Sequence, residues 1–260
     1  MKTPVEQNPG LSIIIPAWNE ERRLARTLDR YLPSLESRSE PFEVLVVVDG
    51  VTDRTPEIVK SYASRGVRLL QYSTRLGKGG AVLEGLKHAK FDYVGYLDAD
   101  GPISPEEMYG LVDYLRDVDC VVASRWVRGA SGVQEEPLFN RVSGRIWNSL
   151  TRGLLFLPIR DTQCGAKFFK GTVAKSLLRT VTLTNRAFDV DVLYHVRKSG
   201  GSLREVGVRW HHDPDTKLPI GRAIPVMFVS LIGLRLMNSP VARRIPPRII
   251  DWFHSEFGQV

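Results

Sequence analysis

The first half of the chain alternates between two hydrophobic periods. Leu11–Ile15 is a β-branched apolar run that stops at Pro16, and Glu43–Val48, Val67–Tyr72, Tyr93–Leu97 and Cys120–Ala123 repeat the pattern. Short apolar runs bounded by turn residues predict buried strands. Between the first two, Leu24, Leu28, Tyr31, Leu32 and Leu35 recur at helical spacing, which predicts a helix over Glu20–Leu35. Thr55-Pro56-Glu57 opens a second helix, with Thr55 expected as N-cap and Pro56 at the first helical position. Gly79–Ala89 predicts a third helix, and Ser104-Pro105-Glu106-Glu107 spells a capping box for a fourth.

Such alternation predicts an α/β domain, a mostly parallel sheet with right-handed crossovers and helices on both faces. Ligands in these sheets bind beyond the carboxyl ends of the strands. That rule selects Pro16–Glu20, Asp49–Asp53, Tyr72–Gly80 and Asp98–Gly101. The second half is less regular. It predicts helices near 138–156, 172–179 and 188–198 and strands at Ala166–Phe169 and Leu203–Arg209. From Pro219 the chain reads as an amphipathic appendage, so a catalytic domain over residues 1–218 is expected to precede a basic segment over 219–260.

Composition sharpens this picture. With 43% hydrophobic and 25% charged residues in 260, the chain is that of a folded globular protein, which excludes disordered and fibrous classes. Its net charge of +7 is unevenly placed: residues 1–120 carry −4 and residues 121–260 carry +11. The two halves are expected to meet different partners, and a basic half alone suits nucleic acid, anionic lipid or phosphorylated small molecules. Cys120 and Cys164 are too few for a disulfide framework or a zinc site, which points to a reducing, cytoplasmic setting. The N-terminal MKTPVEQNPG lacks a signal-peptide core, and no apolar run reaches the ~18 residues of a membrane span.

Familiar phosphate devices are absent. The turn after the first strand reads PAWNE rather than a glycine fingerprint, and Gly77-Lys78-Gly79-Gly80 lacks the Ser or Thr of a Walker loop. Carboxylates are the candidate chemistry. Asp98 and Asp100 end the fourth strand, one residue apart, where two carboxylates can share a hard divalent cation such as Mg²⁺ or Mn²⁺. The Asp-x-Asp spacing occurs four times, so position rather than pattern singles out this pair. Asp49 ends the second strand, where it serves either an Asx turn or a nucleobase; Asn19 and Glu20 are open between helix capping and ligand contact.

In chain order, PAWNEE, VVVDGVTD, TRLGKGGAVLEG, GYLDADG and ASRW resemble glycosyltransferase family 2, the GT-A fold nucleotide-sugar enzymes. RDTQCGAKFFK, NRAFDVDVLYH and EVGVRWHHDPDTKL extend the resemblance over about residues 11–220, toward the dolichyl-phosphate mannose synthases and dolichyl-phosphate glucosyltransferases. DADG followed by DTQCG leans to the glucosyl branch. The resemblance implies that Pro16, Ala17 and Glu20 line the nucleoside pocket, with Asp49 on the base and Lys78 near the diphosphate. It places Asp98 with Ala99 at the ribose or sugar, and Asp98 and Asp100 at a metal bridging the diphosphate. Arg125 would meet the acceptor or leaving phosphate, Asp161 and Gln163 would border sugar and acceptor, and Lys217 would approach the phosphate. One departure stands out: Pro102 occupies the position where mannose synthases commonly have a metal-ligating Gln.

The implied reaction is metal-dependent, inverting transfer of mannose from GDP-mannose or glucose from UDP-glucose to a polyprenyl phosphate. A phosphate monoester has its second pKa near ~6 and needs no general base. Cations must instead offset the repulsion between two phosphates. Residues 217–260 hold six basic and two acidic groups beside Met227, Phe228, Leu231, Trp252 and Phe253. This composition suits either peripheral contact with the cytoplasmic membrane face or packing on the domain. His211 and His212 are candidates near the site. Two alternatives remain open: the same fold acting on a soluble acceptor such as a sugar phosphate, and, more remotely, a nucleic-acid-binding module. Oligomeric state is left open.

Overall fold

The computed structural model describes residues 9–132, 138–211 and 220–257. Its strands form one seven-stranded sheet in the order β3-β2-β1-β4-β6-β5-β7. β1 (Leu11–Ala17) pairs in parallel with β2 (Phe42–Asp49) and with β4 (Tyr93–Leu97), and β3 (Val67–Tyr72) runs parallel to β2. β5 (Cys120–Ser124) and β7 (Leu203–Gly207) are parallel to each other. Between them and β4 lies β6 (Ala166–Lys170), antiparallel to both neighbours. The carboxyl ends of β1, β2 and β4 therefore share one edge, as the alternation predicts.

Helices cover both faces. On one side α1 (Leu24–Glu36), α2 (Thr55–Ser61) and α4 (Pro105–Asp113) bury Leu28, Leu32, Val59 and Met108 against Val46 and Phe168. On the other, α3 (Gly77–His88), α6 (Gly171–Thr180) and α7 (Phe188–Lys198) bury Val82, Leu177 and Phe188 against Val47, Tyr96 and Phe169. α5 (Leu138–Leu155), α8 (Ile220–Met237) and α9 (Pro247–Phe257) add Trp147, Leu231, Leu234, Phe253 and Phe257 to that second cluster.

Three local expectations are corrected. α1 starts at Leu24, because Glu20 turns back to bond Arg23 and gives its backbone N–H to Thr55 Oγ1 (2.9 Å). Thr55 lies within α2 rather than capping it. Asp53 Oδ1 takes the capping role, accepting from Thr55 N (3.0 Å) and Thr55 Oγ1 (2.6 Å). β7 ends at Gly207, and Arg209 makes only an isolated bridge to Ser131. The Ser104 capping box forms as expected.

α8 departs from amphipathic form. Ser230, Leu231 and Leu234 are buried, yet Val226, Phe228, Val229, Ile232 and Leu236 stay exposed, so both sides of the helix are apolar. No helix among the described residues is long and apolar enough to cross a membrane.

Candidate functional site

The carboxyl ends of β1, β2 and β4 open on a cavity of about 700 Å³. β1 brings Pro16, Ala17, Trp18 and Glu20 to its wall, β2 brings Asp49, and the turn after β4 brings Asp98, Ala99 and Asp100. Arg125, Gln163, the 184–189 segment and, from α8, Val226 and Met227 complete the lining. Most residues singled out in the sequence thus converge on one space.

Asp49 is 1% exposed, and its Oδ2 accepts from Arg75 Nη1 (2.5 Å), Leu76 N (2.7 Å) and Gly77 N (2.9 Å). The strand-end carboxylate therefore shapes the loop leading into α3. Arg75 lies over the Trp18 ring at 4.4 Å, and Trp18 Nε1 donates to the Gly50 carbonyl. A half-exposed indole fixed at the cavity wall offers a face for stacking a planar ring. Glu20 takes both Arg23 Nε (2.8 Å) and Arg23 Nη2 (2.7 Å).

The β4 turn is held by Thr27 Oγ1 donating to the Ala99 carbonyl (2.8 Å) and by Gly101, whose φ of 58° suits glycine. Asp98 Oδ1 lies 2.9 Å from Lys78 Nζ, which also reaches Asp189 Oδ2 at 3.2 Å. Asp189 Oδ1 in turn accepts from Lys167 Nζ (2.6 Å) and Tyr96 OH (2.6 Å). Burial pushes the Asp189 carboxyl up, but both lysines and their hydrogen bonds outweigh it and hold it down at about 2. Burial also disfavours the Lys78 cation, while Asp189 and Asp98 more than reverse this and keep it charged. Lys78 thus bridges Asp98 and Asp189. Asp100 lies 3.8 Å from Arg23 Nη1.

The glycines around Lys78 serve packing. Gly79 N donates to the Thr184 carbonyl (3.0 Å), and a Cβ there would stand 2.7 Å from Thr184 Cα and 2.8 Å from Phe188 Cβ. Close approach of α3 to the 184–188 segment is what brings Lys78 to Asp189. Gly165 plays the matching role at the other carboxylate, since a Cβ there would overlap Asp98 Oδ2.

Arg125 lines the cavity, and Asp161 stands behind it with no exposed surface, accepting from Arg125 N (3.0 Å), Nε (2.8 Å) and Nη2 (3.1 Å). Asp161 accordingly positions Arg125 instead of bordering the cavity. Gln163 reaches the wall but spends its amide on the Arg186 carbonyl (3.1 Å) and on Trp147 Nε1 (3.3 Å). Exposed His211 gives its backbone N–H to the Pro102 carbonyl and is outside the cavity wall. Lys217 and His212 lie outside the described residues. Both thiols are buried, which pushes them up and leaves them unreactive.

The segments selected from the sequence contain Trp18 and Arg75 without singling them out, whereas Arg186 and Asp189 were missed as cavity residues. For Trp18 the signal was present, an aromatic at a strand's carboxyl end. Asp189 belongs to one of the four Asp-x-Asp pairs, and nothing local distinguishes it from the others.

The family model for glycosyl transferase family 2 matches residues 12–178. Glycosyltransferase AglD of Haloferax volcanii is 31% identical across 96% of this chain, which spans only 41% of that protein's length. The dolichyl-phosphate beta-glucosyltransferase of Drosophila melanogaster is 32% identical across 82% of this chain and 71% of its own length. Among solved structures, glucosyl-3-phosphoglycerate synthase from Mycobacterium tuberculosis, crystallised with Mn²⁺, uridine diphosphate and glucosyl-3-phosphoglycerate, superposes with a TM-score of 0.66. That likeness covers 88% of this chain and 79% of that one at 19% identity, and it speaks to fold alone.

Proposed function

The chain belongs to glycosyl transferase family 2, and on that premise we propose that it transfers glucose from UDP-glucose to the phosphate of a polyprenyl phosphate. Relatives named for dolichyl-phosphate glucosylation favour glucose over mannose and a lipid acceptor over a soluble one. The observation that carries the reading is the mixed lining of one cavity. Strand-end carboxylates and a half-exposed indole share it with Arg125, Arg186 and the apolar Val226 and Met227.

Trp18 receives the base against its exposed ring, beside the loop that Asp49 orders. Asp98 and Asp100 offer the hard oxygens that suit Mg²⁺ or Mn²⁺, and Gly165 leaves the space in which Asp98 Oδ2 sits. Pro102 offers no side-chain oxygen, so Asp98 and Asp100 are the side chains that would hold the cation. When bound, the cation neutralises charge on the leaving diphosphate. Lys78 fixes the Asp98 carboxylate, and Asp189 with Lys167 fixes Lys78. Arg125, held by Asp161, is aimed at the incoming phosphate. An acceptor phosphate oxygen then forms its bond to the anomeric carbon from the face opposite the nucleotide. The bond from that carbon to the nucleotide oxygen breaks, and UDP departs with its electrons, leaving an inverted product.

The outer side of α8, together with exposed Val142, Ile146 and Phe156 and the exposed cations Arg243, Arg244 and Arg248, forms a peripheral membrane contact in this reading. Apolar side chains beside cations match an anionic lipid interface. The residues 219–260 accordingly act as the acceptor-side segment of the catalytic domain.

The test supplies labelled UDP-glucose or GDP-mannose with Mn²⁺ and either polyprenyl phosphate in anionic vesicles or 3-phosphoglycerate. Label from UDP-glucose in an organic-soluble product is expected, with the protein floating with the vesicles. Label only in a water-soluble product would replace the lipid acceptor with a soluble one.

A further inference from the structure

Among the described residues, each cation that lines the cavity meets a carboxylate, with one exception. Arg23 meets Glu20, Arg75 meets Asp49, Lys78 meets Asp98 and Asp189, and Arg125 meets Asp161. Arg186 lines the same cavity, half-buried, yet its guanidinium has no hydrogen bond or ion pair among the described residues. Burial with no carboxylate beside it lowers the Arg186 guanidinium below the ordinary arginine range. A partly desolvated cation left without a counter-charge is unfavourable, and an anionic ligand relieves that.

The backbone around Arg186 is fixed from four sides. Gly79 N donates to the Thr184 carbonyl (3.0 Å), Thr184 N to the Phe257 carbonyl (3.1 Å), Asn185 Nδ2 to Ser230 Oγ (2.9 Å) and Gln163 to the Arg186 carbonyl (3.1 Å). This segment is tied to α3 on the donor side and to α8 and α9 on the other. Val226 and Met227 of α8 line the same cavity as Arg186, and the bond from Asn185 to Ser230 ties its segment to that helix one turn from Val226. From Val226 the exposed apolar positions continue along α8 through Val229, Ile232 and Leu236. A lone guanidinium where an apolar track enters a polar cavity matches a phosphate joined to a hydrocarbon chain. A fully hydrated sugar phosphate would leave that track unused.

We propose that Arg186 is an acceptor-specificity residue: it takes the phosphate of a hydrocarbon-linked acceptor whose chain lies along α8 at Val226 and Met227. The inference rests on the reading of this cavity as a phosphate-accepting glycosyltransferase site, and it adds the residue and the chain path that choose the acceptor.

The experiment uses full-length wild type, R186Q, R186K and M227E with UDP-glucose, Mn²⁺ and farnesyl phosphate, a short isoprenyl phosphate. Binding of farnesyl phosphate is read from tryptophan fluorescence and turnover from UDP release, with UDP affinity as the folding control. For R186Q, affinity and acceptor KM should worsen at least about tenfold, as loss of a charged hydrogen bond entails, with UDP affinity and donor KM unchanged. R186K should recover most of the loss. M227E should weaken farnesyl phosphate but leave binding of inorganic phosphate intact, whereas R186Q should weaken both. Unchanged acceptor affinity and KM in R186Q overturn the inference while leaving the general reading standing. Wild type that neither binds nor glucosylates farnesyl phosphate, yet glucosylates 3-phosphoglycerate, overturns the hydrocarbon assignment. Wild type inactive on both acceptors overturns the reading and the inference together.

Discussion

Asp189 joins two lysines: its Oδ1 lies 2.6 Å from Lys167 Nζ and its Oδ2 lies 3.2 Å from Lys78 Nζ. Lys167 has no exposed surface, and Asp189 is the carboxylate it meets. Asp189→Asn should therefore cost more than the pair itself contributes, about 3–5 kcal/mol, because a buried ammonium loses its counter-charge. Urea unfolding checks this. The double variant K167M/D189N should recover much of the loss, since it removes the stranded cation.

The same pair sets a pH dependence. The folded Asp189 carboxyl is depressed to about 2, so its stabilisation is complete above the ordinary aspartate range and disappears as pH falls through that value. From the size of that depression, the stability gap between wild type and D189N should narrow by about 2 kcal/mol on going from about pH 5 to about pH 2. A gap that stays constant over that range would show that Asp189 titrates normally in the folded protein.

Much of this site was legible in sequence, and the remainder was hidden for identifiable reasons. Asp49, Asp98 and Asp100 stand at the carboxyl ends of strongly apolar strands, where parallel α/β architecture puts ligands. The antiparallel course of β6 was not visible, because a five-residue apolar strand reads alike in both directions. That reversal places Lys167 beside Asp189, so neither residue signals its partner along the chain. Asp161 looked like a wall residue, but only burial reveals that it stands behind Arg125. Gly77-Lys78-Gly79-Gly80 lacks the pattern of a Walker loop, and the packing against Thr184 and Phe188 that explains its glycine at 79 is purely tertiary.

Gly165→Ala should damage turnover far more than stability. The added Cβ would overlap Asp98 Oδ2 and push the carboxylate away from Lys78. Misplacing a group at the reaction centre by an ångström costs on the order of 10²-fold in rate. Steady-state kinetics with a parallel melting curve checks this: kcat should fall about that far while Tm moves only a few degrees.

Asp161→Asn keeps the shape beside Arg125 but removes the charge that holds its Nε and Nη2. Loss of a buried charge-assisted pair should lower kcat/KM for the acceptor by about 10- to 100-fold. UDP affinity, measured by calorimetry, should stay unchanged, because Asp161 has no exposed surface in the cavity. Equal losses for donor and acceptor would mean that the whole site had moved.

The central claim is that the strand-end pair Asp98 and Asp100 serves a cation-dependent glucosyl transfer to a lipid-borne phosphate. It is tested most directly by the initial rate of glucose transfer from UDP-glucose to polyprenyl phosphate, for wild type and Asp100→Asn, across a Mn²⁺ titration. The account expects wild-type turnover that rises with Mn²⁺ and vanishes on chelation, and an Asp100→Asn rate lower by about 10²-fold or more at saturating donor. An Asp100→Asn enzyme with wild-type turnover and the same Mn²⁺ dependence would contradict it.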